Sequence, residues 1–591
     1  MRKVSTLILA LLALGALPHA PAGAHDSFEQ RRDTVLSVMR AQGERSFNAV
    51  CARLALSPED NGAIALFDSL LSDERIAGMF FSYTSMGTYL HFRDRFPATV
   101  STALRETFKH RTLYRGDTEN HWVCYYTGLY LAAQTWPGLP GSEWFNGKSS
   151  TENFTEARGW LTFWMKTTTT IGQGEFDSPT YMNVFLAPMC VLYDCATDSI
   201  MKQRAGMMID WLLADAAAEQ LQGNYCGGHS RDYPDDIINP LAAPATMWAY
   251  LYFGQPASPP WEDAQYRPRI RGSWEVVFGA LSNYRLPASI LGIATDRSAP
   301  YVHTETKRVR NVIRFGEVRN PPVYKYTYMT ADYALGSLQG GILQPIQQHT
   351  WDITYVSDRP NNTIFTLHPY YAGKELAMFF PEEQKFLAAE VDRYHKVYTD
   401  PDKWNSSSPY EQTFQHRNSL IVLYDIDSTA RQQHVDGFFP KTLDTRTTDS
   451  TGWIFCRAGK TFVAVYPLKP YAWIDEERDW RFRSSALKNG VVVQAGDEEE
   501  FGSFDNFTQS VTRTVIATQE SPGRWTVRYT TPAHDDMTFT YNGPRVLNGV
   551  PQRFATYKLF NGPFMHSEIG SGDLLLHHGQ DTTSLHFPWN E

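Results

Sequence analysis

The chain has 591 residues and a mass of 67.2 kDa, too long for one ordinary hydrophobic core, so we expect two or more domains. Hydrophobic residues make up 42% and charged residues 20% of the chain, a globular balance that excludes wholesale disorder. The net charge is -10, and the sequence has no P-loop, dinucleotide-binding glycine motif or zinc-finger spacing. These features exclude the common nucleic-acid-binding and nucleotide-binding classes.

The first residues have the pattern of an export signal. Arg2 and Lys3 precede an apolar run over 7–14, and small residues occupy 22–24. A basic start, an apolar stretch and small residues at a cleavage point predict a secretory signal peptide over 1–24. The apolar run is shorter than the ~20 residues of a membrane span, which disfavours an anchor. We therefore expect a secreted or periplasmic protein that has no transmembrane segment after cleavage.

The six cysteines leave their pairing open. Disulfide bonds form in exported proteins, but six cysteines allow 15 connectivities and the sequence does not choose among them. No pair has the CxxC spacing typical of a metal site. Small buried side chains are the alternative for Cys51, Cys124, Cys190, Cys195, Cys226 and Cys456.

Residues from about 27 to 290 have the spacing of helices. Apolar side chains recur every three or four residues in 182–196 and again in 201–216, as one helix face requires. The pair Ser178–Pro179 is expected to start the first of these helices, and Asp198 to cap the second. Further helices are predicted near 28–42, 97–110, 121–135, 152–168 and 241–253.

From about residue 300 the period of the apolar residues changes to two. Segments 461–466, 490–494 and 525–529 are rich in β-branched and aromatic residues, and turn residues separate such runs. This pattern predicts an extensive antiparallel β region. We therefore divide the chain into a helical domain over 25–295, built of helical hairpins, and an antiparallel β-sandwich over 296–591.

Three clusters of polar and aromatic residues occur at nearly equal separations in the helical half, over 119–122, 174–181 and 227–234. Two predicted helices lie between consecutive clusters. Because two antiparallel helices return the chain to the face that it left, all three clusters are expected on one rim. Loops held by a rigid scaffold are the usual location of functional residues, so this rim is the predicted site.

The rim carries groups that suit acid–base chemistry and sugar binding. The predicted catalytic residues are Asn120, His121, Glu175, His229, Arg231 and Tyr233. The predicted substrate-binding residues are Glu119, Trp122, Asp177 and Tyr181. Structural explanations stay open at this point, because carboxylates also stabilise helix N-termini and Arg231 could pair with Asp232 or Asp177. The aromatic residues near these clusters either stack on sugars or fill the core.

An exported chain with these motifs resembles the polysaccharide lyases of the chondroitin/alginate lyase and heparinase II/III-like type. Those enzymes combine an (α/α) toroid with a C-terminal antiparallel β-sandwich. The resemblance is carried by 119–121, 174–181 and 229–233 in the helical half and by 328–337 and 349–351 in the β half. It implies β-elimination on a uronic-acid-containing polysaccharide.

The resemblance also implies roles for individual residues. Asn120 and Arg231 would neutralise the substrate carboxylate and so stabilise the charge that develops next to it. His121 or His229 would remove the proton alpha to that carboxylate. Tyr233 would protonate the leaving oxygen, or would itself act as the base.

The resemblance further implies that Glu175 orients Arg231 or a histidine. A negatively charged protein repels polyanions at long range, so a local basic patch is needed, for which Arg231, Lys166, Arg93 and Arg95 are candidates.

Two other functions remain possible on the sequence alone. A toroid-fold glycoside hydrolase would use a carboxylate pair chosen from Glu119, Glu175, Asp177 and Asp232. A non-catalytic glycan-binding protein would use the same aromatic rim. No cofactor is predicted, and a structural metal held by His349, His368 or His395 stays open.

Overall fold

The computed structural model describes residues 27–73, 78–116, 118–257, 275–308, 322–339, 348–370, 408–521 and 524–589. The predicted signal peptide and His395 lie outside the described residues. Helices fill the N-terminal half and antiparallel strands the C-terminal half, so the predicted fold class is confirmed. Among the described helices, none combines the length and the apolarity that a bilayer span needs.

The N-terminal half consists of short and medium helices. They are α1 Phe28–Gln42, α2 Phe47–Leu56, α3 Asn61–Leu71, α4 Met79–His91, α5 Ala98–His110, α6 Glu119–Thr135, α7 Ser150–Ile171, α8 Met182–Cys195, α9 Ser199–Glu219, α10 Pro234–Ile238, α11 Pro244–Trp248, α12 Val276–Leu281 and α13 Ala288–Thr295. Asp198 caps α9 as predicted, because its side chain accepts hydrogen bonds from the first turn. α8 begins three residues after the predicted Ser178–Pro179 start.

Alternate helices form a closed inner ring. α2, α4, α6, α8 and α12 contact one another in this order, and α12 contacts α2. The outer helices α1, α3, α7 and α9 each pack against an inner helix that neighbours them in the chain. Gly128 permits the close approach of α6 to α4, since a Cβ there would lie 2.4 Å from the carbonyl carbon of Ser82. The helical half is therefore a toroid of helical hairpins.

Short antiparallel strands build the C-terminal half, and two more strands lie in the helical half. They are β1 Gln220–Leu221 and β2 Asn224–Tyr225 in the helical half, then β3 Tyr301–Lys307, β4 Val323–Met329, β5 Tyr333–Gln339, β6 Trp351–Tyr355, β7 Thr363–Leu367, β8 Glu411–His416, β9 Ser419–Asp425, β10 Val435–Pro440, β11 Thr445–Thr448, β12 Ile454–Ala458, β13 Thr461–Pro467, β14 Ala472–Asp475, β15 Asp479–Ser484, β16 Lys488–Asp497, β17 Val515–Ser521, β18 Arg524–Thr530, β19 Asp536–Thr540, β20 Arg545–Leu547, β21 Val550–Pro551, β22 Phe560–Asn561, β23 Met565–Ser567, β24 Asp573–His578 and β25 Asp581–His586. Helices α14 Glu498–Phe501 and α15 Phe504–Thr512 interrupt the series.

The strands form three large sheets. A twelve-stranded sheet has the order β14-β15-β10-β7-β6-β5-β4-β3-β22-β23-β24-β25, and a six-stranded sheet has the order β11-β12-β13-β16-β9-β8. Apolar side chains from both sheets, such as Trp351 and Val422, share one buried cluster, which is the core of the sandwich. A five-stranded sheet, β17–β21, packs on the other face of the six-stranded sheet.

The last strands of the chain return to the helices. Phe560, Leu574 and Leu576 belong to the same buried cluster as the helical core, and the ring of Trp211 lies 5.2 Å from that of Phe560. The two halves therefore share an extensive apolar contact. α13 ends at Thr295 and β3 begins at Tyr301, on either side of the predicted domain boundary.

All six cysteines are free thiols, and all of them lie within the described residues. Five are buried, and Cys195 at the end of α8 is partly exposed. The sequence left open whether the cysteines form disulfide bonds or remain unpaired, and in the structure they are unpaired.

We expect one thiol of the folded protein to react readily with an aromatic disulfide reagent, because accessibility limits that reaction and Cys195 alone of the six is accessible. Release of the coloured thiolate counts the reactive groups. Cys195→Ser should abolish the rapid reaction, and Cys190→Ser, which changes a buried thiol of the same helix, should leave it intact. Rapid reaction that persists in Cys195→Ser would contradict this assignment.

Candidate active site

The three polar clusters meet at one end of the toroid. Glu175, in the loop before α8, accepts hydrogen bonds on Oε2 from the backbone N–H and Nδ2 of Asn120, at 2.9 and 2.6 Å. The same loop contacts the third cluster, where the hydroxyl of Ser178 donates to the carbonyl oxygen of Arg231 at 2.9 Å. The predicted convergence is therefore present.

Arg231 connects the buried carboxylate of Glu175 to a pair of tyrosines. Its Nε lies 3.3 Å from Oε1 of Glu175, and its Nη2 donates to the hydroxyl of Tyr181 at 2.7 Å. The guanidinium also lies over the Tyr181 ring, 4.7 Å from the centroid. The hydroxyls of Tyr181 and Tyr233 are 2.6 Å apart. We call this line of contacts, Glu175–Arg231–Tyr181–Tyr233, the arginine–tyrosine line.

The backbone of Arg231 is strained, which is typical of residues at functional sites. Its φ of 57° lies in the left-handed region that non-glycine residues rarely adopt. The hydrogen bond from Ser178 to its carbonyl oxygen helps to hold this conformation. In this conformation the guanidinium lies between Glu175 and Tyr181.

Charge and burial set the protonation states along the line. Burial raises the pKa of Tyr181, and the positive charge of Arg231 acts in the opposite direction. Burial also disfavours the charged form of Arg231, but the neighbouring Tyr181 and Glu175 raise its pKa overall. At neutral pH Arg231 is therefore a cation and Tyr181 a phenol. The side chains of Tyr181 and Tyr233 are both half-buried.

Asn120 presents one unused atom. Its Nδ2 donates to Glu175 and to the hydroxyl of Thr118, the latter at 2.9 Å. Its Oδ1 is buried and accepts no hydrogen bond from the residues that the structure describes. A buried polar atom without a partner is costly, so the position of Asn120 depends on the contacts of its Nδ2 with Glu175 and Thr118.

Glu119 lies beneath the line rather than on the rim. Its Oε1 accepts hydrogen bonds from Nε1 of Trp164 at 2.8 Å and Nη2 of Arg308 at 2.6 Å, and its Oε2 accepts from the backbone N–H of Glu175 at 2.9 Å. Burial raises the pKa of Glu119, which Arg308 opposes. A Cβ at Gly174 would lie 2.6 Å from Oε2 of Glu119, which explains the glycine.

Asp177 also makes contacts that stabilise the fold. Its backbone has a φ of 50°, and its side chain accepts hydrogen bonds from Nζ of Lys307 at 2.9 Å, from Nζ of Lys325 at 2.6 Å and from the hydroxyl of Tyr225 at 3.0 Å. The two lysines belong to strands β3 and β4. Asp177 therefore ties the loop before α8 to the β-sandwich.

These lysines belong to a larger buried ion cluster. Lys307 also contacts Asp215 at 2.6 Å and Glu305 at 2.5 Å, and Lys325 contacts Glu219. The oxygens of the four carboxylates lie within 4.8 Å of one another, close enough to hold a metal ion. The two ammonium groups are hydrogen-bonded to these same oxygens. We call this set, Asp177, Asp215, Glu219, Glu305, Lys307 and Lys325, the junction cluster.

The predicted histidines lie beside the line. His229 is 2% exposed and pairs through its backbone with His349, with N–H to oxygen distances of 2.9 Å in both directions. Burial lowers its pKa well below the usual value, so the ring is neutral. Its Nδ1 has no hydrogen-bond partner among the described residues. His121 packs against Phe80, with ring centroids 5.6 Å apart.

The other predicted residues have varied surroundings. Nε1 of Trp122 donates to the carbonyl oxygen of Gly116 at 2.8 Å, and the guanidinium of Arg115 covers its ring at 3.8 Å. Arg93 and Arg95 follow the C-terminal end of α4, whereas the site lies near the N-terminal end of α6. His349 pairs with Asp352, and His368 contacts Ser408 and the carbonyl of Gln432, so each has its own partners.

The carboxylates predicted for a glycoside hydrolase are all buried. None of them is more than 3% exposed, and the set comprises Glu119, Glu175, Asp177 and Asp232. Three of the four are held by arginine or lysine. A hydrolase needs two carboxylates that face the same groove, one of them free to take up or release a proton. This arrangement favours proton transfer by the tyrosines.

The sequence analysis did not identify Lys307, Lys325 and Arg308 as partners of the predicted site residues. One signal was available, because Lys325 occupies the buried phase of strand β4 together with Val323, Thr327 and Met329. A charged residue at an inward position requires a buried counter-charge. The partner could not be identified from the sequence, since Asp177 lies far away along the chain.

Comparison with known proteins gives similarity of fold. No model of a known protein family matches the chain, and no curated protein is significantly similar in sequence. The heparan sulfate lyase HepC from Pedobacter heparinus is 10% identical with a TM-score of 0.37, and the match covers 88% of this chain and 83% of that one. A mutant of HepC has a TM-score of 0.36 at 10% identity, with 85% and 82% covered.

Heparinase III has a TM-score of 0.42 at 10% identity, and the match covers 89% of this chain and 84% of that chain. HepC and heparinase III are polysaccharide lyases, the type of enzyme that the sequence resembles.

The junction cluster generates a prediction about stability. Lys325→Met leaves Glu219 buried without a cation and Asp177 with Lys307 alone, so we expect the free energy of unfolding to fall by about 3–5 kcal/mol. Urea unfolding followed by fluorescence measures the change. Arg528→Met, which breaks the exposed pair with Asp536, is the control and should leave the midpoint unchanged. Equal midpoints for Lys325→Met and the wild type would show that the cluster does not stabilise the fold.

Proposed function

We propose that this protein is an exported polysaccharide lyase that cleaves a uronic-acid-containing polysaccharide by β-elimination. The observation that carries the proposal is the arginine–tyrosine line, in which one cation and two hydrogen-bonded phenols lie together at the meeting of three loops. The signal-like N-terminus supports export, where extracellular or periplasmic polysaccharides are found.

β-Elimination is slow without an enzyme because the proton to be removed is weakly acidic. It lies on the carbon next to the uronate carboxylate, and its removal spreads negative charge onto that group. A fixed cation at the carboxylate lowers the energy of this state. Arg231 supplies the cation, since its planar guanidinium matches a carboxylate and Glu175 and Tyr181 already fix its orientation.

The tyrosine pair carries the proton transfers. One phenol oxygen takes the proton from the carbon as its own proton passes to the neighbouring hydroxyl, so no phenolate has to form beforehand. The electron pair of that bond forms a carbon–carbon double bond, and the bond to the glycosidic oxygen breaks. A phenol proton then neutralises the leaving oxygen. The 2.6 Å contact between Tyr181 and Tyr233 allows a proton to pass between the two hydroxyls.

We assign the base to the tyrosines because the histidines are less well placed. His229 is almost fully buried and pairs through its backbone with His349, and His121 packs against Phe80. Glu175 acts as a positioning residue, because its two oxygens hold Asn120 on one side and Arg231 on the other. Asn120 is fully buried and acts with Glu175 as a positioning residue, because its Nδ2 donates to the carboxylate that holds Arg231.

The first test removes the phenol hydroxyls. We expect Tyr233→Phe and Tyr181→Phe each to lower the rate of appearance of unsaturated sugar, read by ultraviolet absorbance, by roughly 10²–10⁴-fold, since each removes a proton donor or acceptor. Tyr193→Phe, at the other end of α8, is the matched control and should keep the wild-type rate. Activity in both site variants equal to that of the wild type would refute the roles given to the pair.

The second test concerns the cation. Arg231→Lys keeps the positive charge but loses the planar fork, so we expect kcat on uronate polymers to fall by roughly 10-fold or more. On a polymer whose carboxyl groups are methyl-esterified, the difference between variant and wild type should shrink, because no carboxylate remains to be matched. An equal loss on both polymers would show that Arg231 does not bind the carboxylate.

A further inference from the structure

An arginine is held between two tryptophans at an open edge of the β-sandwich. Arg446 lies on β11, the edge strand of the six-stranded sheet, and Trp473 and Trp480 lie on β14 and β15 at the edge of the twelve-stranded sheet. The guanidinium carbon is 3.9 Å from the ring centroid of Trp473 and 4.5 Å from that of Trp480. We call these three residues the tryptophan clamp.

Among the residues that the structure describes, the guanidinium of Arg446 has no anionic partner. Within the described part of the chain it makes no hydrogen bond or ion pair, and its Nε is buried without an acceptor. The neighbouring Arg483 contrasts with it, since that guanidinium holds Asp436 through two hydrogen bonds of 2.8 and 2.7 Å. A guanidinium fixed by stacking, with its donors unused, is prepared to bind a carboxylate or sulfate.

The aromatic part of the clamp faces solvent. Trp473 contacts the rings of Phe439 and Phe482 in edge-to-face geometry. Despite these contacts, 36% of the residue is exposed. An indole ring offers a flat apolar surface that matches the C–H face of a pyranose, while its edges leave the sugar hydroxyls in water. A flat ring beside an unpaired guanidinium fits a sugar that carries an acidic group.

The clamp lies on a segment that contacts the candidate active site. The turn between β14 and β15 carries Arg478, whose Nη1 is 3.5 Å from Oδ1 of Asp235. Asp235 is two residues after Tyr233, and Trp480 is two residues after Arg478, a step of about 7 Å in an extended strand. This contact places the β14–β15 hairpin beside the segment that follows Tyr233.

We propose that Arg446, Trp473 and Trp480 form a distal binding subsite for an acidic sugar unit of a polysaccharide. The carboxylate or sulfate binds the guanidinium of Arg446, and the pyranose ring stacks on Trp473. The identification of the polymer as the substrate rests on the proposed lyase function. The subsite itself rests on the unpaired cation and the exposed ring, and it increases affinity for long chains without taking part in the chemistry.

Binding is measured first, because it does not depend on turnover. Native gels cast with heparan sulfate or with polygalacturonate report retardation of the protein as a dissociation constant. We expect Arg446→Gln and Trp473→Tyr each to weaken binding by about tenfold, the loss of one charge-assisted contact or one stacking surface. Arg457→Gln, which removes an exposed cation from the adjacent strand β12, is the control and should bind as the wild type does.

Turnover then separates this subsite from the catalytic line. We expect the two clamp variants to raise KM on the polymer by about tenfold with kcat unchanged, and to leave activity on a disaccharide-sized fragment at the wild-type level. Thermal midpoints within a few degrees of the wild type confirm that the variants fold. Two conservative changes, in different sheets, keep the test independent of any one packing defect.

Wild-type affinity in both variants, or a wild-type protein that is not retarded by either polymer, would overturn the subsite. If the wild type binds and the variants do not, but no polymer is cleaved, the subsite stands and the lyase function fails. A loss of kcat in the clamp variants that equals the loss in Tyr233→Phe would also contradict a purely binding role.

Discussion

Two buried lysines, Lys307 and Lys325, link the helical half of this protein to its β half. Both donate to Asp177, which follows Glu175 by two residues and precedes Tyr181 by four. An isolated charge in such a place is strongly unfavourable, so the cations and carboxylates of the junction cluster are stable only together. The position of the loop before α8 therefore depends on strands β3 and β4, although those strands contribute nothing to the arginine–tyrosine line.

The same constraint explains the chemistry that the site can perform. Carboxylates in the three clusters are used to hold cations and backbone N–H groups, as Glu119 holds Arg308 and Glu175 holds Arg231. The groups left without such a task are one cation, Arg231, and two phenols, Tyr181 and Tyr233. In the proposed mechanism they neutralise a carboxylate and move a proton, as elimination requires, whereas hydrolysis requires carboxylates that are free to act on the sugar.

Much of the architecture could be predicted from the sequence, because periodicity reports which face of an element is buried. The change of period near residue 300 indicated helices followed by strands, and counting helices between clusters indicated the shared rim. Helix α4 was not predicted, since its serine, threonine and glycine residues hide the helical pattern and burial in the inner ring overrides their weak propensity. The partners of Asp177 and Glu119 could not be predicted, since they come from distant strands.

Isotope labelling tests the central claim most directly, because elimination and hydrolysis differ in whether water enters the product. The purified protein is incubated with uronic-acid polymers in ¹⁸O-labelled water, and the fragments are weighed by mass spectrometry. The account predicts fragments with an unsaturated sugar at the new non-reducing end and no ¹⁸O beyond the slow exchange of a reducing end in a no-enzyme control. Saturated fragments that carry one ¹⁸O for each bond cleaved would contradict it and would assign the site to a hydrolase.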